Sequence, residues 1–280
     1  MNQGLLRAAK LLVMAVLAFV ALLPIVWMIL GSFRSHEEIF RYSSELEWRT
    51  LIPVQWTLDN YRAIFTDAVK PFGRFIANTL TVAAPVTLLS LFFNSLAAFA
   101  FAKMKFRFKK IIFAVFLSAL VIPGEVTLVP TYLTVNRFGW IDTYTALIVP
   151  AIVSVFSVFL LVQFFSDIPR ELLEAGRIDG ASWFGIYRQI VLPASVPALV
   201  TLAIITFLGQ WDSYLWPLVV INDQDKQMLQ VAIAAFSNAQ VTEWGRILAA
   251  DTVSSIPILI LFVFLQKYYV RGITMSGIKG

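Results

Sequence analysis

Few side chains in this 280-residue sequence are equipped for covalent chemistry. Cysteine is absent and His36 is the lone histidine. That excludes disulfide frameworks, thiolate metal sites and cysteine nucleophiles, along with any Ser-His-Asp triad not built on His36. The glycines at Gly272 and Gly277 come nearest to a phosphate-binding loop, but Ile278 stands where the motif requires lysine and no strand precedes them. The chain is therefore not expected to hydrolyse ATP itself. Two groups of residues remain that carry chemistry of another kind. One is Asp212, set among apolar residues beside Thr206, Gln210 and Ser213 and the aromatic Trp211, Tyr214 and Trp216. The other is the polar run Ser166 to Pro193, SDIPRELLEAGRIDGASWFGIYRQIVLP.

These residues need elements to hold them, and composition says which. The chain is 59% apolar and 14% charged, with a mean hydropathy of +0.78. A soluble domain averages about 45–50% apolar and about 25% charged. A hydrocarbon core of about 30 Å takes roughly 20 apolar residues as a helix. Six stretches qualify, at about 11–31, 75–102, 111–131, 145–165, 198–221 and 250–266, with ends good to about 2–4 residues. The first is too long in its apolar run for a signal peptide and lacks a cleavage site, so it reads as a retained span. The expected fold is all-α: one membrane domain, residues 1–280, with six transmembrane helices. No internal repeat or low-complexity tract interrupts it.

Orientation follows from the basic residues. The amino terminus, the KMKFRFKK connection at Lys103 to Lys110, the 166–193 connection and the tail hold thirteen basic residues against four acidic ones. The opposite side holds nine against twelve, and most of its basic residues sit in the long first loop, which counts for less. Both termini are expected in the cytoplasm. The net charge of +5 thus reads as topology, not as nucleic-acid binding.

Asp212 stands out as a charge well inside a span, about fourteen residues into the fifth, or roughly 21 Å of helical rise. Such a charge costs about 2.5–3.5 kcal/mol on insertion scales unless it faces a partner or water. On a continuous helix Thr206, Gln210 and Ser213 form one stripe, and Asp212 points away from it. One face would line a solute path while the other fixes helix packing, and the spacing leaves open which does which. Trp211, Tyr214 and Trp216 suit sugar stacking or an interfacial aromatic belt.

The run 166–193 is too short and polar to span. Asp167 and Pro169 read as a helix start, Ser182 as the cap of a second short helix, and Pro193 as its end. Ala175, Gly176, Gly180 and Ala181 permit close approach of another chain. Its acids, Asp167, Glu171, Glu174 and Asp179, are unlike the lysine-rich face of a lipid-surface helix. A protein partner at the cytoplasmic surface is the better expectation.

Glu174-Ala175-Gly176, then Asp179-Gly180-Ala181, with Ile190, Leu192-Pro193 and Pro197, resemble the EAA signature of binding-protein-dependent ABC importer permeases, with Gly176 where a second alanine is usual. PIVWMILGSFR at Pro24, TLDNYRAIF at Thr57, FLGQWDSYLWPL at Phe207 and VRGITMSGIKG at Val270 extend the likeness to the carbohydrate branch, in particular the smaller maltose-type permease. The resemblance implies a non-catalytic permease subunit that moves a sugar or oligosaccharide inward by alternating access. It implies a second permease, two copies of a cytoplasmic ABC ATPase carrying the ATP and magnesium, and an extracytoplasmic solute-binding protein. No cofactor is expected in this chain. Glu174, Ala175, Gly176, Asp179, Gly180 and Ala181 would dock on the ATPase, with Gly277 and Lys279 of the tail touching the same interface. The implied location is the cytoplasmic (inner) membrane of a bacterium or archaeon. A glycerol phosphate or polyol is an alternative solute. A stand-alone secondary transporter would want more carboxylates inside its spans and inverted repeats, and an intramembrane enzyme would want clustered His, Asp or Glu.

Overall fold

The computed structural model describes residues 3–42, 47–66, 71–237 and 242–276. Its helices, in chain order, are α1 (Gln3–Gly31), α2 (His36–Arg41), α3 (Trp48–Leu51), α4 (Asp59–Thr66), α5 (Phe72–Lys103), α6 (Lys109–Ser118), α7 (Gly124–Arg137), α8 (Tyr144–Ala151), α9 (Val155–Ser166), α10 (Arg170–Ile178), α11 (Trp183–Ile186), α12 (Leu192–Ala194), α13 (Val196–Trp211), α14 (Leu215–Val220), α15 (Leu229–Ser237) and α16 (Trp244–Ser276). No strand occurs among the described residues. Four helical paths are long and apolar enough to cross a membrane unaided: Ala9–Gly31, Phe72–Lys103, Tyr144–Ser166 and Trp244–Gln266. Two more qualify only as bent pairs, α6 with α7 at 103° and Trp183–Ala194 with α13 at 81°. Six paths are thus present if each bent pair is one span, but several are not single straight helices.

The chain divides into two compact units, Met1–Arg74 with Ala232–Pro257, and Phe75–Val231 with Ile258–Gly280. In the first, α1 ends where Gly31 meets Leu248, whose Cδ1 lies 2.7 Å from where a Cβ on Gly31 would sit. The loop beyond folds on itself as a cap. Buried Arg34 pairs with Glu38 at 3.8 Å, and the Glu38 carboxylate accepts the backbone N–H groups of Val54 and Gln55 at 2.7 and 3.2 Å. Burial lowers the Arg34 pKa while Glu38 works to raise it. Asn60 donates to the carbonyls of Ser32 and Arg34 at 2.8 and 2.7 Å, and Phe33 packs between Trp56 and Tyr61. Trp56, Asn60 and Tyr61 thus belong to a small folded cap.

The second unit has two apolar clusters. Val82 and Val86 of α5 join Val135, Ala146, Leu147, Val220, Met228 and Val231. Ala98 and Phe99 of the same helix join Leu161, Phe165, Leu173, Ile186, Tyr187, Val191 and Leu202. The fourth path breaks between α8 and α9, after Pro150, and buried Asn94 of α5 repairs the gap. Its amide donates to Ile152 O at 3.0 Å and its carbonyl oxygen accepts from Ser154 N at 3.2 Å. A chain-interior break leaves a carbonyl and an amide without helical partners, and Asn carries one group of each kind.

One expectation from sequence needs correction here. The fifth span is not one helix over 198–221: α13 stops at Trp211, Asp212 is its C-cap, and α14 resumes at Leu215. The third path bends sharply before Gly124, and α7 runs on from there to Arg137. In the sixth path Asp251 lies within α16, inside its apolar stretch.

Candidate functional site

In the 166–193 run Asp167 caps the end of α9 and does not start a helix, while Pro169 is the N-cap of α10. Proline suits that end because the first turn's amides have no helical acceptors. The far end of α10 closes through a Schellman pair of hydrogen bonds: Ala181 N donates to Gly176 O at 2.9 Å and Gly180 N to Arg177 O at 3.1 Å. Gly180 occupies the left-handed position at φ +83°, where a side chain is disfavoured. Ser182 then caps α11, accepting from Gly185 N at 3.1 Å.

Pro193 does not end this second helix. The chain passes through a π-helical stretch, Tyr187–Val191, in which Leu192 N reaches back five residues to Tyr187 O. Proline has no N–H for the usual acceptor four residues earlier, and its ring crowds the preceding turn. The break comes at Ser195 instead.

One side of α10 is fixed and the other is bare. Leu173 and Gly176 are buried. Gly176 accommodates Ile190 so closely that an added Cβ would lie 2.9 Å from its Cδ1. The following segment is tied to α5, since Tyr187 and Ser95 share a hydrogen bond of 2.7 Å. Lys103 donates to the carbonyls of Ile168 and Ser166 at 2.6 and 3.3 Å, closing the carboxyl end of α9. Sequence reasoning missed Ser95, Lys103 and Tyr187, because their partners are more than sixty residues away in the chain. Glu174, Ala175, Asp179 and Gly180 are exposed and Ala181 is partly so. Ile178 is 87% exposed and Leu172, Trp183 and Phe184 are bare as well. The arrangement is a rigid pedestal presenting an apolar and acidic face.

The second set of residues does not form the stripe expected of a continuous helix. Gln210 and Ser213 line one cavity with Trp216, Thr127 and Thr131, but Thr206 is not in its wall. Asp212, the C-cap of α13, is exposed and outside that wall, and Gln230 donates to it at 3.4 Å. Trp211 is 1% exposed and stacked on Phe207 at 5.6 Å, so it presents no free ring face. Tyr214 is exposed. Gly277 and Lys279 lie outside the described residues. No group of three or more His, Asp or Glu that could hold a metal occurs among the described residues.

Residues 90–275 match the family described as binding-protein-dependent transport system inner membrane component. The chain belongs to that family. It is 35% identical over 266 residues to the arabinooligosaccharides transport system permease protein of Halalkalibacterium halodurans, covering 95% of this chain and 94% of that one. It is 31% identical over 285 residues to the trehalose/maltose transport system permease protein of Thermococcus litoralis, covering both fully. The sn-glycerol-3-phosphate transport system permease protein of Shigella flexneri is 34% identical over 81% of this chain and 83% of its own length. A chain in the crystal structure of a bacterial ABC transporter that imports alginate shares the fold at a TM-score of 0.80, with 21% identity, over 96% of this chain and 99% of that one.

Proposed function

We propose that this chain is the permease subunit of an ATP-driven importer of a sugar or oligosaccharide, and that α10 with its Gly180 turn is the lever through which a separate ATPase moves it. The observation that carries this is the one-sided burial of α10. Leu173 and Gly176 lock it to the transmembrane helices, while Ile178 and Leu172 stand in the open. Covering one such side chain contributes about 1.5–3 kcal/mol, which is a reason for a partner to grip here. Glu174 and Asp179 add acidic contacts beside the apolar ones. A lever must be stiff to transmit displacement, and the bonds from Ser95 and Lys103 supply the stiffness.

On this reading both termini and the 166–193 loop are cytoplasmic, in the inner membrane of a bacterium or archaeon. ATP and magnesium sit on two ATPase copies, a second permease completes the membrane part, and a solute-binding protein delivers cargo from outside. The arabinooligosaccharide permease matches 95% of this chain and the trehalose/maltose permease all of it, against 81% for the glycerol-3-phosphate permease, which favours a neutral carbohydrate over a phosphorylated polyol. The test is co-purification of the ATPase from membranes holding the full complex. Glu174→Lys with Gly180→Asp is expected to abolish ATPase recovery and solute-stimulated hydrolysis while this chain still inserts. Undiminished recovery and hydrolysis would remove the docking role.

A further inference from the structure

The connection from α5 to α6 carries the densest basic charge in the chain. Lys103, Lys105, Arg107, Lys109 and Lys110 follow one another with no acid between them. The fold adds a sixth cation: Arg170, at the start of α10, comes close enough to repel both Lys103 and Lys109. Asp167 acts on Lys103 in the opposite sense, but none of the six forms an ion pair among the described residues. Lys103 donates to the carbonyls of Ser166 and Ile168, and Lys109 Nζ to Met104 O at 3.0 Å and Ala102 O at 3.5 Å. Carbonyls orient an ammonium group without cancelling its charge. Lys105, Arg107 and Lys110 are exposed. A basic bias sets the side of the membrane a loop takes, but gives no reason to gather like charges from two separate connections. Such charges repel, so the gathering points to an anion that offsets them.

The apolar groups say where that anion comes from. Phe101 packs on Phe106, Phe113 and Phe116 at 5.8, 5.0 and 6.2 Å, which ties the connection to both helices. Phe108 sits at φ +61°, uncommon for a bulky residue. It is 57% exposed, with Arg107 over its ring at 4.7 Å. Ile111 beside it is 61% exposed. Because α5 and α6 both belong to apolar paths, this short connection lies at a membrane surface. Bare rings and a bare aliphatic flank next to cations match a phospholipid, with its acyl chain on the flank and its phosphate among the cations. A soluble phosphate would leave the apolar groups uncovered. The far end of α10 has the opposite sign, at Glu174 and Asp179, so the two faces suit different partners.

We propose that the 103–110 connection and Arg170 form a binding site for the headgroup of an anionic phospholipid at the foot of α10. The site goes beyond the permease reading, since it requires only that α5 and α6 cross the membrane. The test uses the full complex, freed of partner cysteines, in vesicles of phosphatidylglycerol and phosphatidylcholine in equal parts. This chain has no cysteine of its own. Ile111→Cys carries a fluorophore beside the site, and Leu88→Cys, 68% exposed on α5, carries one away from it. Brominated chains are placed on one lipid or the other, and quenching reports which lipid adjoins the fluorophore. Ile111→Cys is expected to favour phosphatidylglycerol about fivefold, the contribution of one basic residue near an anionic surface, and Leu88→Cys to show no preference. Arg107→Gln with Lys110→Gln, and separately Arg170→Gln, are each expected to bring the ratio at Ile111→Cys close to unity. Excess inorganic phosphate is expected to leave the preference of the parent intact. Equal quenching at Ile111→Cys, the same preference at Leu88→Cys, a preference that survives either set of substitutions, or one abolished by inorganic phosphate would overturn the proposal. Where the paired variant fails to assemble, Arg170→Gln decides alone. If the preference survives while ATPase recovery is lost, the cations belong to the ATPase interface and the lipid site falls.

Discussion

At Asn94 a side chain 1% exposed satisfies two backbone groups that a broken span leaves open, and Ser90 accepts its second amide proton at 2.6 Å. Each buried group left unpaired costs about 1–3 kcal/mol. Asn94→Leu strands Ile152 O and Ser154 N together, so it is expected to lower the stability of the purified complex by about 2–5 kcal/mol. A clear drop in Tm on heating in detergent would show it, and an unchanged Tm would mean that the break is held by something else. Gly176 is a gentler case. Alanine there gains helix propensity of about 1 kcal/mol, offset by the shift forced on Ile190 Cδ1 at 2.9 Å. The departure from the usual alanine therefore has a packing reason, not merely a tolerance for small residues. Asn94 was legible in sequence only as one of several polar residues in a span. Its task depends on a partner 58 residues away.

Among the elements, the turn at Asp142 shows how local strain and long-range bonds share one residue. Asp142 adopts φ +62° and its Oδ1 accepts from Asn222 N and Asp223 N at 3.0 and 2.9 Å. Lys226 bridges Asp223 at 3.2 Å and Asp142 at 3.6 Å. Asn78 donates to the carbonyls of Asp225 and Gln227 at 2.8 and 2.9 Å, so the 221–228 loop is pinned from two sides. Asp142→Ala loses the acceptor and the polar side chain that tolerates the left-handed conformation, a loss of about 1–2 kcal/mol. Asp142→Asn keeps both and loses only the ion pair. Faster amide exchange over 220–226 in the alanine variant, but not in the asparagine one, is the expected result. The hydrogen bond that Lys226 donates to Asp223 raises its pKa, and Asp142 adds to the shift. The contribution is therefore full below the ordinary lysine value of about 10.4 and is lost as pH climbs through the raised one. Protection of this loop, taken relative to the intrinsic exchange rate at each pH, should fall only in that alkaline window. The helix breaks belong to the same scale. From sequence, 145–165 and 198–221 read as unbroken spans, because their length and apolar content outweigh Pro150 and Pro217, each of which removes one helical hydrogen bond.

For the whole molecule the basic residues predict sidedness. A cysteine at exposed Arg107 should react with an impermeant reagent only in inside-out vesicles, and one at exposed Asn222 only in right-side-out ones. The reverse pattern would invert the topology and take the lever out of reach of a cytoplasmic ATPase. The bare flank of α1, with Leu17 at 63% and Phe19 at 66% exposed, fits lipid or a second subunit and not water. By itself the sequence determined the class: too few polar residues to face water, helical runs of membrane length, a basic bias by loop, and a 166–193 motif built on nearest-neighbour spacing. Those are properties of local composition and short-range geometry, which a linear chain displays directly. Only the tertiary structure decided where spans break, that Gln210 and Ser213 share a cavity while Asp212 does not, and which remote side chains stiffen α10. A helix interruption in an apolar setting depends on groups such as Asn94 and Lys103 arriving from elsewhere, and their arrival is written in no window of neighbouring residues.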